Sequence, residues 1–96
     1  GDAAQSRDAP DILEPVEGVG LFTGTASHPD RAQVVLRGVS ADRAPLFWFD
    51  GATPLGVTKA GEPLPVELKR GVHRLTATDP SGRSASRRVR VLDARP

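Results

Sequence analysis

The chain has 96 residues and no cysteine, which excludes a disulfide framework and any cysteine-based zinc site. It also has no apolar run near the roughly 18–20 residues of a membrane-spanning helix, so we expect no membrane insertion by this segment. No window places apolar residues at helical spacing without an intervening proline or glycine. These absences point to a chain built from strands and turns.

Turn-forming residues are abundant: ten glycines and nine prolines separate short runs of strand-forming side chains. Turn signals recur about every eight to twelve residues, which is typical of an antiparallel β-sandwich. We therefore predict an all-β, immunoglobulin- or fibronectin-III-like sandwich of about seven to eight short strands, monomeric as an isolated domain. Residues 1–10 should be a linker or a disordered N-terminus, residues 11–92 the sandwich, and residues 93–96 a tail.

Three of the four aromatic residues lie in the run PLFWFDG, residues 45–51. Both faces of this run are apolar, so we expect a central strand that is covered on both sides. Trp48 should face the core. The alternative for Trp48 is a platform for sugar stacking, which would need Phe47 or Phe49 as a second exposed aromatic residue.

Two other runs have clear strand patterns. In AQVVLRGV, residues 32–39, alternation places Val34 and Leu36 inward. Near residues 64–68, Pro63 and Pro65 mark an edge strand, because proline cannot donate a hydrogen bond to a neighbouring strand.

Residues with catalytic or metal-binding chemistry form no recognisable motif. His28 falls in a loop and His73 begins a strand, and neither belongs to a spacing that supplies three or four metal ligands. Ser81, His73 and Asp79 contain the groups of a catalytic triad, but no Gly-x-Ser-x-Gly turn presents the serine. We therefore expect no metal, no cofactor and no enzymatic activity in this chain.

The segment RLTATDPSGRSASRRVRV, residues 74–91, is typical of a β-hairpin around the turn DPSG. Alternation places Arg87 inward and gives the hairpin an outward face of arginine and hydroxyl side chains. Such groups suit carboxylates, which makes this face a candidate binding surface. The alternative is an ordinary solvated face, because alternation requires a polar residue at every outward position. The candidate binding residues are Arg74, Thr76, Ser86, Arg88 and Arg90.

Charge is unevenly distributed along the chain, although the net charge is only +1. Residues 1–68 contain five basic and ten acidic residues, whereas residues 69–96 contain eight basic and two acidic residues. The division indicates one basic face, or charge complementarity between strands that pair. Nucleic-acid binding is not expected, because no helix is available for a groove and no aromatic residues alternate with the arginines.

Taken together, these motifs resemble the small C-terminal domain of bifunctional (class A) penicillin-binding proteins of the 1C type. The resemblance covers roughly residues 10–92, and its hairpin motif is the most specific part. Asp50 and Gly51 follow Trp48 one residue earlier than in the family pattern. The matching residues are Ile12, Pro15 and Gly18; Trp48, Asp50, Gly51, Leu55 and Gly56; and Gly71, His73, Leu75, Asp79, Gly82, Arg83, Ser84 and Ala85.

The resemblance implies a periplasmic peptidoglycan synthase with glycosyltransferase and transpeptidase domains upstream. The transpeptidase signatures Ser-x-x-Lys, Ser-x-Asn and Lys-Thr-Gly are absent, and the chain contains no asparagine at all. The implied role is a non-catalytic accessory module that contacts the upstream transpeptidase domain, envelope proteins or peptidoglycan.

Within such a module the resemblance assigns a structural role to one set of residues, among which Arg83 should stabilise the hairpin. That set is Trp48, Asp50, Gly51, His73, Asp79, Gly82 and Arg83. The alternative function is a free-standing immunoglobulin-like carbohydrate-binding or adhesion module of the bacterial envelope. An exposed aromatic pair would favour this second function.

Overall fold

The computed structural model describes residues 8–24 and 27–94. The strands are β1 (Asp11–Glu14), β2 (Gly20–Phe22), β3 (Arg31–Val39), β4 (Leu46–Asp50), β5 (Thr53–Thr58), β6 (Leu64–Lys69), β7 (Gly71–Thr78) and β8 (Ser84–Leu92). They form two sheets packed face to face, with strand orders β1-β3-β6 and β2-β8-β7-β4-β5. The predicted β-sandwich is therefore confirmed.

One strand pairing differs from the antiparallel arrangement that the sequence predicts. β2 runs parallel to β8, whereas the other pairings in the described residues are antiparallel. The segment between β1 and β2 brings the chain to the free edge of β8, where Gly18 N donates to Arg88 O at 2.7 Å. Arg90 N donates to Val19 O at 3.0 Å. The sandwich is therefore mixed at this edge.

The core lies between the sheets, and both sheets contribute buried apolar side chains to it. In β3, Val34 and Leu36 are buried, as the alternation predicts, and β6 is an edge strand that contains Pro65. The buried set is Ile12, Ala32, Val34, Leu36 and Leu68 from the three-stranded sheet, with Leu46, Trp48, Leu75, Ala77, Val89 and Val91 from the other.

Trp48 faces the core, as the sequence predicts, and has no exposed surface. Its Nε1 donates a hydrogen bond to Thr58 Oγ1 at 2.9 Å. The expectation that β4 is covered on both sides is wrong, because 39% of Phe47 is exposed and Phe49 is only half-buried. β4 has a neighbouring strand on each side, but a two-layer sandwich covers only one face of each sheet.

The hairpin of β4 and β5 contains a bulge. Trp48 pairs with Gly56 and Phe49 pairs with Pro54, so Leu55 is an extra residue, and it packs against the core. Gly51 follows β4 with a φ of +58°, which glycine adopts without strain. A bulge bends its strand locally, and here it turns Leu55 inward.

Gly38 gives a first prediction, because it lies where β3 meets β4. A Cβ atom there would be 2.9 Å from Leu46 Cδ1, 3.1 Å from Asp11 O and 3.3 Å from Trp48 Cζ2. We expect Gly38→Ala to lower the free energy of unfolding by about 1–3 kcal/mol, measured by urea denaturation. Gly20→Ala is the control, since its Cβ would meet Leu92 Cδ1 at an ordinary 3.9 Å. Equal losses in the two variants would contradict the steric argument.

Candidate functional site

The candidate binding residues come together on the outer face of the β7–β8 hairpin. Arg74 lies directly opposite Arg88 in the strand pairing, and Thr76 lies opposite Ser86. The Thr76 and Ser86 hydroxyl oxygens are 3.0 Å apart. Leu75 and Ala77 are buried on the other side of β7, so Arg74 and Thr76, which alternate with them, project outward. We call Arg74, Thr76, Ser86, Arg88 and Arg90 the arginine face.

An open groove of about 390 Å³ crosses the arginine face and is lined by Glu17, Arg74, Ser86 and Arg88. Glu17 is a site residue that the sequence did not reveal. Its Oε1 accepts a hydrogen bond from Arg88 N at 3.0 Å, across a separation of 71 residues. No local spacing signals such a contact, because it depends on where the turn before β2 meets β8.

Ion pairs involve three of the nine arginines that the structure describes. Within the described residues, Arg37 pairs with Glu14 at 2.9 Å, Arg70 with Asp93 at 2.8 Å, and Arg83 with Asp79 at 3.1 Å. In the same part of the chain, the other six arginines form no ion pair; Arg74, Arg88 and Arg90 are three of these, and Arg31, Arg43 and Arg87 are the others. Like charges directly opposite in a strand pair destabilise it by about 0.2–1 kcal/mol. Fold stability therefore gives no reason for the Arg74–Arg88 pair.

Apolar side chains lie on the same outer face, on both sides of the arginines. On one side, Phe47 pairs with Val57 and with Thr78, and 57% of Val57 is exposed. On the other side, Phe22 pairs with Leu92, and both are exposed. The sequence did not reveal these neighbours, because strand order cannot be assigned from alternation alone.

Arg87 points inward, as the alternation predicts, and is half-buried. Its Nη2 donates to Ile12 O at 3.1 Å, and its Nη1 donates to Ser86 O at 3.3 Å. Arg87 therefore links β8 to β1 in the opposite sheet. It contributes to holding the sandwich together and does not belong to the arginine face.

Asp50 and His73, two residues of the family motif, are in contact. His73 Nδ1 lies 2.7 Å from Asp50 Oδ2, and His73 Nε2 lies 2.6 Å from Lys69 O. Because a carbonyl oxygen only accepts hydrogen bonds, Nε2 donates in the second contact. His73 thus joins the end of β4 to the end of β6.

This arrangement predicts that the two histidines respond differently to substitution. We expect His73→Gln to lower the free energy of unfolding by about 1–3 kcal/mol, because the half-buried Asp50 carboxylate and the Lys69 carbonyl lose their contacts with the imidazole ring. His28→Gln, in the exposed loop, should change it by less than about 0.5 kcal/mol. Urea denaturation of both variants gives the comparison. A His73 variant as stable as the His28 variant would show that the contacts contribute nothing.

The hairpin turn contains three further motif residues, Asp79, Gly82 and Arg83. Asp79 is buried, and its carboxylate accepts hydrogen bonds from Ser81 N at 2.9 Å and from Arg83 N at 3.0 Å. Arg83 Nε donates to the other carboxylate oxygen at 3.1 Å. Gly82 has a φ of +90°, a conformation that favours glycine. These contacts fix the turn that sets the pairing of β7 with β8.

Among the described carboxyl groups, two have a lowered pKa, and neither belongs to the arginine face. The Ser40 hydroxyl and the Ala44 amide donate to Asp42 and lower its pKa. The Ser27 hydroxyl and amide likewise lower the pKa of Glu67. The hydrogen bonds to Asp42 lie within one loop, whereas those to Glu67 connect β6 to Ser27, 40 residues away in the sequence.

Residues 8–24 and 27–94 contain no group of three histidine or carboxylate side chains that could hold a metal ion. No helix in that part of the chain is long and apolar enough to cross a membrane.

The two sheets and their shared core define an immunoglobulin-like β-sandwich domain. A similar solved structure is described as a chimeric titin Z1Z2-Z1Z2 tandem (Z1212) functionalized with a GRGDS exogenous peptide from fibronectin. The match has a TM-score of 0.52 and 15% sequence identity, and covers 92% of this chain but only 51% of the other. At this identity the likeness shows the fold alone. No curated protein matches the chain.

Residues 1–91 match the model of the Penicillin-Binding Protein C-terminus Family. The chain therefore belongs to this family, the C-terminus of bifunctional penicillin-binding proteins, as its motifs indicated.

Proposed function

We propose that this chain is the non-catalytic interaction module at the C-terminus of a periplasmic bifunctional peptidoglycan synthase, of the 1C type that its motifs resemble. The observation that carries the proposal is the arginine face. Arg74, Arg88 and Arg90 project from one outer sheet face, and their side chains form no ion pair within the described residues. In a family member with no transpeptidase signature, such a face is suited to contact and not to chemistry.

The partners proposed for this module are the upstream transpeptidase domain, other envelope proteins and peptidoglycan. Each of these can present carboxylates, and guanidinium groups bind carboxylates in a defined geometry. Catalysis is assigned to the upstream domains of the parent protein, and positioning or partner contact to this chain.

A free-standing carbohydrate-binding module remains the second candidate, because Phe47 is exposed and lies next but one to Phe49 in β4. Two facts count against it. Trp48 is fully buried and cannot stack on a sugar, and Phe49 is half-buried, so Phe47 is the one well-exposed ring of β4. Phe22 is also exposed, but it lies in β2, separated from β4 by β8 and β7.

One experiment separates the two candidates. Envelope extracts of the organism that encodes the chain are labelled with fluorescent penicillin and probed with an antibody against this domain. The proposal expects one band that carries both signals, at a size suited to a multi-domain synthase. An antibody band near 10.1 kDa without penicillin label would overturn it and favour the free-standing module.

A further inference from the structure

We infer that the arginine face binds an extended acidic segment of a protein partner that carries carboxylates at alternate positions. The inference rests on the proposed function and adds the chemistry of the partner. Its first support is charge: Arg74 and Arg88 face each other across β7 and β8, and Arg90 lies two residues further along β8. None of the three forms an ion pair in residues 8–24 and 27–94, and they outnumber Glu17, the carboxylate that lines the groove, so the face is complementary to an anionic ligand.

The second support is spacing. Residues two apart on one strand face leave the strand about 7 Å apart, so the side chains of Arg88 and Arg90 start from the sheet at that interval. An extended peptide repeats its own side chains on one face at the same interval. Carboxylates at positions i and i+2 of the peptide can therefore contact Arg88 and Arg90 at the same time. Arg74, which lies opposite Arg88, adds a second guanidinium group for the carboxylate at position i.

The third support is the apolar residue that comes next on the same face. Leu92 follows Arg90 by two positions, and 37% of it is exposed beside Phe22. A segment lying along β8 would place an apolar side chain there, which predicts the pattern acidic-x-acidic-x-apolar. A glycan or polyphosphate chain has no apolar side chain at this interval, so the geometry favours a protein segment.

Substitution of Glu17 should strengthen binding of an acidic segment, whereas substitution of the arginines should weaken it. Its carboxylate lines the groove and is held there by Arg88 N, so it repels an incoming carboxylate. Glu17→Gln keeps an oxygen that can accept this hydrogen bond and removes the negative charge. The variant should bind an acidic segment more tightly than the original chain does.

The probe is a blocked synthetic peptide, Thr-Glu-Thr-Glu-Thr-Leu-Thr, titrated into the isotope-labelled chain and followed by NMR. The ionic strength is about 10 mM, where the Debye length is about 30 Å. We expect shift changes that centre on residues 86–92. Arg74→Gln and Arg88→Gln should each weaken binding about fivefold, and Glu17→Gln should tighten it about threefold. Lys59→Gln removes one positive charge from an exposed turn and should leave binding unchanged.

Two further peptides check the pattern. A glutamine version, Thr-Gln-Thr-Gln-Thr-Leu-Thr, should show no binding at the arginine face. An isomer with adjacent glutamates, Thr-Glu-Glu-Thr-Thr-Leu-Thr, should bind about fivefold more weakly, because only one carboxylate can face the sheet. Equal affinity for the two isomers would overturn the alternate-position inference.

Other outcomes are equally decisive. Tighter binding of soluble peptidoglycan fragments than of the peptide, at the same residues, would replace the protein partner by the cell wall. Absence of shift changes at residues 86–92 would remove the site. A double-labelled synthase band with no peptide binding would leave the proposed function standing and overturn this inference alone.

Discussion

Trp48→Ala is expected to lower the free energy of unfolding by about 3–5 kcal/mol. Trp48 is the largest fully buried side chain, and it lies between the two sheets, so its truncation leaves a cavity in the centre of the core. Thr58 is also buried, and its hydroxyl would lose the indole donor. Because small domains have only about 5–15 kcal/mol of stability, this variant should unfold at much lower urea concentration.

Two companion variants separate the causes of this loss. Trp48→Phe fills much of the cavity but leaves the Thr58 hydroxyl without its donor, so we expect a smaller loss of about 1–3 kcal/mol. Phe47→Ala, the neighbour on the outer face of β4, should cost less than about 1 kcal/mol, because Phe47 is 39% exposed. A Phe47 variant as unstable as the Trp48 variants would contradict the assignment of inner and outer faces.

Features of the fold that depend on local pattern could be predicted from the sequence. Alternation identified the buried residues of β3, since a strand in a two-layer sandwich has one face against the core and one outside. For β4, the apolar residues on both faces led to the wrong prediction that both faces are covered. Apolar residues on both faces, such as Trp48 and Phe47, are typical either of a strand covered by a third layer or of a strand with an exposed apolar surface. Composition alone cannot separate the two.

Features that depend on pairing between distant segments could not be predicted. The parallel pairing of β2 with β8 joins residues about 70 positions apart, and no periodicity encodes its direction. The same pairing brings Glu17 to the groove and Phe22 beside Leu92. The arginine face itself was accessible to prediction because β7 and β8 form a hairpin whose short turn fixes their register.

Asp79 controls that register, and Asp79→Ala should lower the free energy of unfolding by about 2–4 kcal/mol. Its carboxylate accepts two backbone amides and one guanidinium hydrogen bond while its side chain is only 1% exposed. Alanine would leave the amides of Ser81 and Arg83 without this acceptor. Amide hydrogen exchange should therefore accelerate at these two residues more than in β3, in addition to the loss of stability in urea.

Asp79→Asn and Arg83→Ala divide the effect of Asp79→Ala into its parts. Asparagine keeps an oxygen for the two amides but loses the charge opposite Arg83, so a loss of about 1–2 kcal/mol is expected. Arg83→Ala should cost about 1 kcal/mol or less, because its side chain is 32% exposed and water can replace part of the contact. If Arg83→Ala and Asp79→Ala lower the free energy of unfolding equally, the ion pair between the two side chains accounts for the whole effect. If Asp79→Ala causes a much larger loss than Arg83→Ala, the hydrogen bonds from the amides of Ser81 and Arg83 to the buried carboxylate are the main side-chain support of the turn between β7 and β8.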